Sequence, residues 1–124
     1  MTFAALTVAV AACWPVADAP IPPGYLPLVE SARSSVLSNY EGLIRPSLAV
    51  TRITCFANRG VVILFRQVGG PTPGAPAFAM GGQDPVAPEA HSWSGGYGDM
   101  RSIDEEIEFN FGNIPEVPCP PRAT

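Results

Sequence analysis

Lysine is missing from this chain. All 7 basic residues are arginine, scattered singly between Arg33 and Arg122 and outnumbered by 11 acids, which leaves a net charge of −4. With no block of positive charge to displace counterions, a general nucleic-acid binder is excluded. Charged residues make up only 15% of the chain while 47% are hydrophobic, too apolar a balance for disorder throughout. Histidine occurs once, at His91, and the three cysteines, Cys13, Cys55 and Cys119, stand far apart. No Cys-x-x-Cys and no Cys/His pair at ligand spacing is present, so no metal site and no cofactor are expected.

Glycine and proline are abundant, with 12 and 15 copies. Average usage is about 7% and 5%. They follow no triplet period, which excludes collagen. A length of 124 residues suits one domain.

The first apolar feature runs from Phe3 to Ala17 without a charge. It falls short of the roughly 20 residues that span a bilayer but fits the apolar region of a signal peptide. Val10-Ala11-Ala12-Cys13 resembles a bacterial lipobox. That resemblance implies lipidation of Cys13, a membrane attachment through it, and an extracytoplasmic address. No positive charge precedes the run, so either translation starts upstream of Met1 or the run is no export signal. The competing reading is a buried N-terminal strand or helix in a cytoplasmic domain. If Cys13 anchors the chain or leaves with a signal, Cys55 and Cys119 remain to form one disulfide in an oxidising compartment. Otherwise Cys55 is a small core residue and Cys119 a free thiol in the tail.

Prolines 15, 20, 22, 23 and 27 keep the next segment extended, so residues 1–24 read as an apolar N-terminus plus tether. A single domain is expected over 25–120, with a tail at 121–124. From Leu26 to Tyr40 the period turns helical: Leu28, Val29, Ala32, Val36 and Tyr40 share one face, and Pro27 suits the first turn. Gly42 and Pro46 bar continuation. Residues 48–68 predict a β-hairpin around Ala57-Asn58-Arg59-Gly60, with Asn58 and Gly60 able to take positive φ. Its second strand, Val61-Val-Ile-Leu-Phe65, is apolar on both faces and so belongs inside a sheet covered on both sides.

Residues 69–100 hold eight glycines and five prolines and read as a long irregular loop, with a brief strand at Ala77–Met80. Arg101–Phe111 alternates in a period of two, with Ile103, Glu105, Ile107, Phe109 and Phe111 on one side and Asp104, Glu106 and Glu108 on the other. The pattern predicts a half-buried strand with a solvated acidic face, which Arg52 and Arg66 can pair. The expected fold is therefore α+β: one helix on an antiparallel sheet of three to four strands, crossed by a long Gly/Pro-rich loop.

The loop holds the candidate binding residues His91, Trp93, Tyr97 and Phe78, which with Met80 can line an apolar groove for a protein or a small apolar ligand. His91 and Ser94 also raise a minor hydrolase as an alternative. Gly-x-Ser-x-Gly between a strand and a helix is not satisfied, and Asp99 or Glu89 lacks a motif making it the orienting acid. No catalytic residue is therefore assigned. The sequence favours a small exported or lipid-anchored, non-enzymatic binding or structural module. The rival is a cytoplasmic interaction domain using residues 69–100.

Overall fold

The computed structural model describes residues 18–40, 48–67, 77–83 and 93–122. Among these, seven elements follow one another: α1 (Leu26–Asn39), β1 (Leu48–Phe56), β2 (Gly60–Gln67), β3 (Ala77–Gln83), β4 (Ser94–Gly98), α2 (Met100–Phe111) and β5 (Glu116–Val117). The strands form one antiparallel sheet in the order β4-β3-β2-β1-β5. The α+β class holds, with two described helices where the sequence predicted one and five strands where it predicted three to four.

β2 is the central strand, as its unbroken apolar run requires. Val61, Ile63 and Phe65 join the cluster under α1, while Val62 and Leu64 join the cluster under α2. A strand covered on both faces has no position left for a polar side chain, which is why the usual alternation is absent. α1 contributes Leu28, Val29, Ala32 and Val36, all at 0% exposure. Each of its larger apolar side chains contributes roughly 1.5–3 kcal/mol on burial. The helix ends at Asn39, with Tyr40 as its C-cap. The stop at Gly42 and Pro46 lies outside the described residues.

The β1–β2 turn differs from expectation in one detail. The positive φ, 69°, belongs to Arg59, not to Asn58 or Gly60. Asn58 instead accepts the Gly60 N–H on its side-chain oxygen at 2.8 Å, closing an Asx turn. A bulge at Thr51 shifts the register between Val50 and Arg52, and the Thr51 hydroxyl donates to the Leu64 carbonyl at 3.2 Å.

Two sequence expectations are corrected. Residues 101–111 are the helix α2, not a strand. Positions 103, 107 and 111 satisfy a period of two and a spacing of four equally well, and Glu105, the misfit on the strand's apolar side, is exposed on the helix. The acids therefore line helix faces rather than one strand face. Arg52 does meet Asp104, at 3.5 Å, but across the gap from β1 to α2. Secondly, the strand expected at Ala77–Met80 is present and runs on to Gln83 as β3, while Ser94–Gly98, read as loop, forms β4. Their glycines and alanines carry no β-propensity signal. What they provide is a low surface: Ala77 and Ala79 pack in the α2 cluster, and the missing side chains of Gly81, Gly96 and Gly98 leave room for Phe111, Glu106 and Ser102.

The chain's two flanks are fastened to this core. Asp18 accepts the Val50 N–H at 2.8 Å and pairs with Arg33 at 3.3 Å. Ala19 N–H donates to the Val50 carbonyl at 2.8 Å, and Arg33 donates to the Leu48 carbonyl. At the other end Cys119 is bonded to Cys55 with a Cα–Cα distance of 5.2 Å. β5 pairs Val117 with Cys55 and Glu116 with Phe56, so the bridge joins β1 to the chain two residues beyond β5.

Candidate functional site

α2 starts where Asp99, in extended backbone, accepts the Ser102 N–H at 2.8 Å. This N-cap bond holds the Asp99 carboxyl below its ordinary value; the Ser102 hydroxyl and the Arg101 charge add to the effect. Ile103, Ile107 and Phe111 then recur at spacings of four and turn toward the sheet. Phe111 stacks on Phe56 with ring centroids 4.5 Å apart. Its ring also lies over Gly60 and Gly81, where a Cβ would come within 2.9 Å and 3.5 Å of it.

Beside this contact α2 stands off from the sheet and leaves a cleft of about 340 Å³. Ala79, Gly81 and Gly96 pave its floor, and Ile103, Ile107 and Phe111 form the apolar wall. Among the described residues, Asn58, Gln83, Ser94, Glu106 and Asn110 supply the polar lining, and Glu106 is the one charged side chain there. The Glu106 carboxylate lies against Gly96, where an added Cβ would be 2.6 Å from Oε2. Asn110 donates to the Glu106 backbone carbonyl at 2.9 Å. Through the glycine-thin edge of the sheet Glu106 also acts on Tyr40: burial pushes that phenol above its ordinary value, and the carboxylate charge adds to the rise.

Of the candidate residues from the sequence, Phe78, Trp93 and Tyr97 lie elsewhere. Phe78 and Met80 are fully buried in the α1 cluster. Tyr97 is 41% exposed, with its ring 5.1 Å from Phe78 and 5.6 Å from Tyr40. Trp93 packs on the same cluster and donates from Nε1 to the Ser31 hydroxyl of α1 at 2.9 Å. These four aromatic and sulfur side chains thus share the α1 face, opposite the cleft. Ser94 opens β4 and lines the cleft, with α2 beginning only at Met100. His91, Glu89 and Cys13 lie outside the described residues.

Glu106, Asn110 and Gly96 were not legible as site residues, because their assembly needs α2 to be a helix. The available signal was Asp99 followed by Ile103, Ile107 and Phe111 at helical spacing. Among the described residues no group of His, Cys, Asp and Glu is placed to hold a metal ion, and no helix is long and apolar enough to cross a membrane. Searches against protein-family models, curated proteins and solved structures return no match for the chain.

Proposed function

We propose that this chain is a small exported or lipid-anchored envelope protein that acts as a non-enzymatic binding module. The observation that carries the reading is the Cys55–Cys119 disulfide, which closes 64 residues of chain across the sheet edge. Disulfides persist in oxidising compartments and are rare in reducing ones, so a bridge built into the core supports an extracytoplasmic address. The apolar stretch ending at the lipobox-like Cys13 supports the same address, with membrane attachment through that residue if it is lipidated. The binding role draws on the cleft under α2, which combines an apolar wall with a few convergent polar groups.

Cell fractionation with intact-mass analysis tests the address. The account expects the protein in the envelope or medium, shortened at its N-terminus or carrying lipid on Cys13. An unmodified chain beginning at Met1 in the cytoplasm would instead support the cytoplasmic interaction domain.

A further inference from the structure

We infer that the cleft under α2 takes a small organic cation: a primary ammonium group carried on a compact, flat apolar body. The inference rests on the binding-module reading and is independent of the cellular address. Its starting point is how the four acids of α2 divide. Asp104, Glu105 and Glu108 lie together with Arg101 along the outer side of the helix, and Asp104 is already paired with Arg52. Glu108 also borders a second recess with Arg52 and Thr54 of β1, and of the four only Glu106 lines the cleft, where it lies against Gly96.

Sequence makes that placement possible. Position 96 is glycine, and any larger residue there would occupy the space of the Glu106 carboxylate. Among the described residues that line the cleft there is no arginine, and the one formal charge they carry is negative. An anionic ligand would meet that charge at the cleft wall and be repelled. An ammonium group gains a charge-assisted hydrogen bond from the carboxylate. The Ser94 hydroxyl and the amide oxygens of Gln83 and Asn110 offer acceptors for its remaining protons.

The rest of the cleft sets the ligand's shape. Its floor is backbone and methyl groups, because Ala79, Gly81 and Gly96 project almost nothing upward. Ile103, Ile107 and Phe111 close it from the helix side. A flat ring or short branched chain slides between two such surfaces, whereas a bulky polar body leaves the isoleucines uncovered. At about 340 Å³ the space is at the small end of ligand sites, which run from roughly 300 to 1,000 Å³.

The test is an NMR titration of the intact, oxidised, ¹⁵N-labelled protein with three probes of like shape: 2-phenylethylammonium, 2-phenylethanol and phenylacetate. The ammonium probe is expected to move the amide resonances of Gly81, Gly96 and Asn110 to saturation while those of Ala32 and Tyr97 stay in place. Phenylethanol is expected to bind more weakly and phenylacetate not at all. Glu106→Gln should weaken the ammonium probe by about tenfold, the loss expected for one charge-assisted bond. Gly96→Ala, which displaces the carboxylate without neutralising it, should weaken it in the same direction. Glu106 is on the surface, so its variant is expected to keep the parent's remaining spectrum. Equal binding of alcohol and ammonium, or an unaffected Glu106→Gln, would overturn the cation assignment while leaving the cleft as an apolar site. No shift with any of the three would overturn the assignment and remove the cleft from the binding-module reading as well.

Discussion

The hydroxyl of Tyr25 donates to the backbone carbonyl of Pro120 at 2.8 Å, joining points 95 residues apart in the chain. The ring is fully buried, and the Arg122 guanidinium sits 5.6 Å from its centroid. The same oxygen lies 3.7 Å from the Cys55 sulfur, which has no hydrogen to donate once it is bonded to Cys119, so that contact is packing. Tyr25→Phe keeps the ring and deletes the hydrogen bond. Its expected cost is about 1 kcal/mol in chemical denaturation at neutral pH. Burial pushes the Tyr25 phenol above its ordinary value, with Arg122 partly opposing. The neutral form is therefore favoured in the fold, and the sign follows: stability is full below the unfolded-state value and falls as pH rises through the folded one. The parent should lose stability in strong alkali more steeply than Tyr25→Phe.

The disulfide is the largest single contribution expected from the C-terminal segment. In the chain-entropy relation a closure of this length stabilises by about 4 kcal/mol. Replacing both Cys55 and Cys119 by alanine should lower the denaturation midpoint accordingly. It should also loosen β5 and the Tyr25–Pro120 bond, which hold the same strap. Hydrogen exchange at Val117 and Ala57 reads this, since Ala57 N–H donates to the Pro115 carbonyl at 2.9 Å. Unchanged protection at both amides would show that the strap holds without its cross-link.

Two glycines should differ in their response to alanine. Gly24 has φ of 81°, and a Cβ there would lie 2.2 Å from the Arg122 carbonyl oxygen. Both the left-handed backbone and a rigid backbone neighbour oppose it, so Gly24→Ala should cost at least about 1–2 kcal/mol. At Gly96 the neighbour is the far end of the flexible Glu106 side chain, which can swing away. Gly96→Ala should leave the melting temperature near the parent's while changing the cleft. Thermal unfolding of the two variants side by side checks the contrast.

Asp99 gives a pH prediction of the opposite kind from Tyr25. Its carboxyl is held below the ordinary value, chiefly by the Ser102 N–H bond. A lowered value means that the stabilisation is present above the unfolded-state value and is lost as pH falls through the folded one. Asp99→Ala should therefore melt earlier than the parent at neutral pH. The difference should shrink as the solution is acidified past the ordinary aspartate range, 3.8 in model compounds. A gap that stays constant with pH would assign the loss to something other than the cap.

These residues also show what was legible in the sequence. Leu28, Val29, Ala32 and Val36 announce α1 because a helix half-buried on a sheet must repeat at three and four. Val61 to Phe65 announces a central strand because only a strand covered on both faces can be apolar throughout. The Cys55–Cys119 pair was one of two readings, expected if Cys13 is an anchor or leaves with a signal, and the disulfide is present. Ala77–Met80 announced the first half of β3, but Gly81, Gly82 and all of β4 were hidden because glycine is placed there for what it leaves empty, a space that α2 side chains occupy. α2 was hidden by arithmetic: Ile103, Ile107 and Phe111 fit both periods, Phe109 favoured the strand although it is exposed on the helix, and Glu105 and the Asp99 cap stood against it. The cleft lies between α2 and a sheet edge that includes β4, the two elements read otherwise, so it was not legible before both were placed.

The most direct measurement is the thiol state of the protein trapped inside the intact organism. Cells are quenched in acid, the denatured chain is alkylated without reductant, and the mass around Cys55 and Cys119 is read. The account predicts that neither residue takes the label until reductant is added, after which both do. Labelling of both cysteines without reductant would contradict it, placing the protein in a reducing compartment and removing the chief support for an exported module.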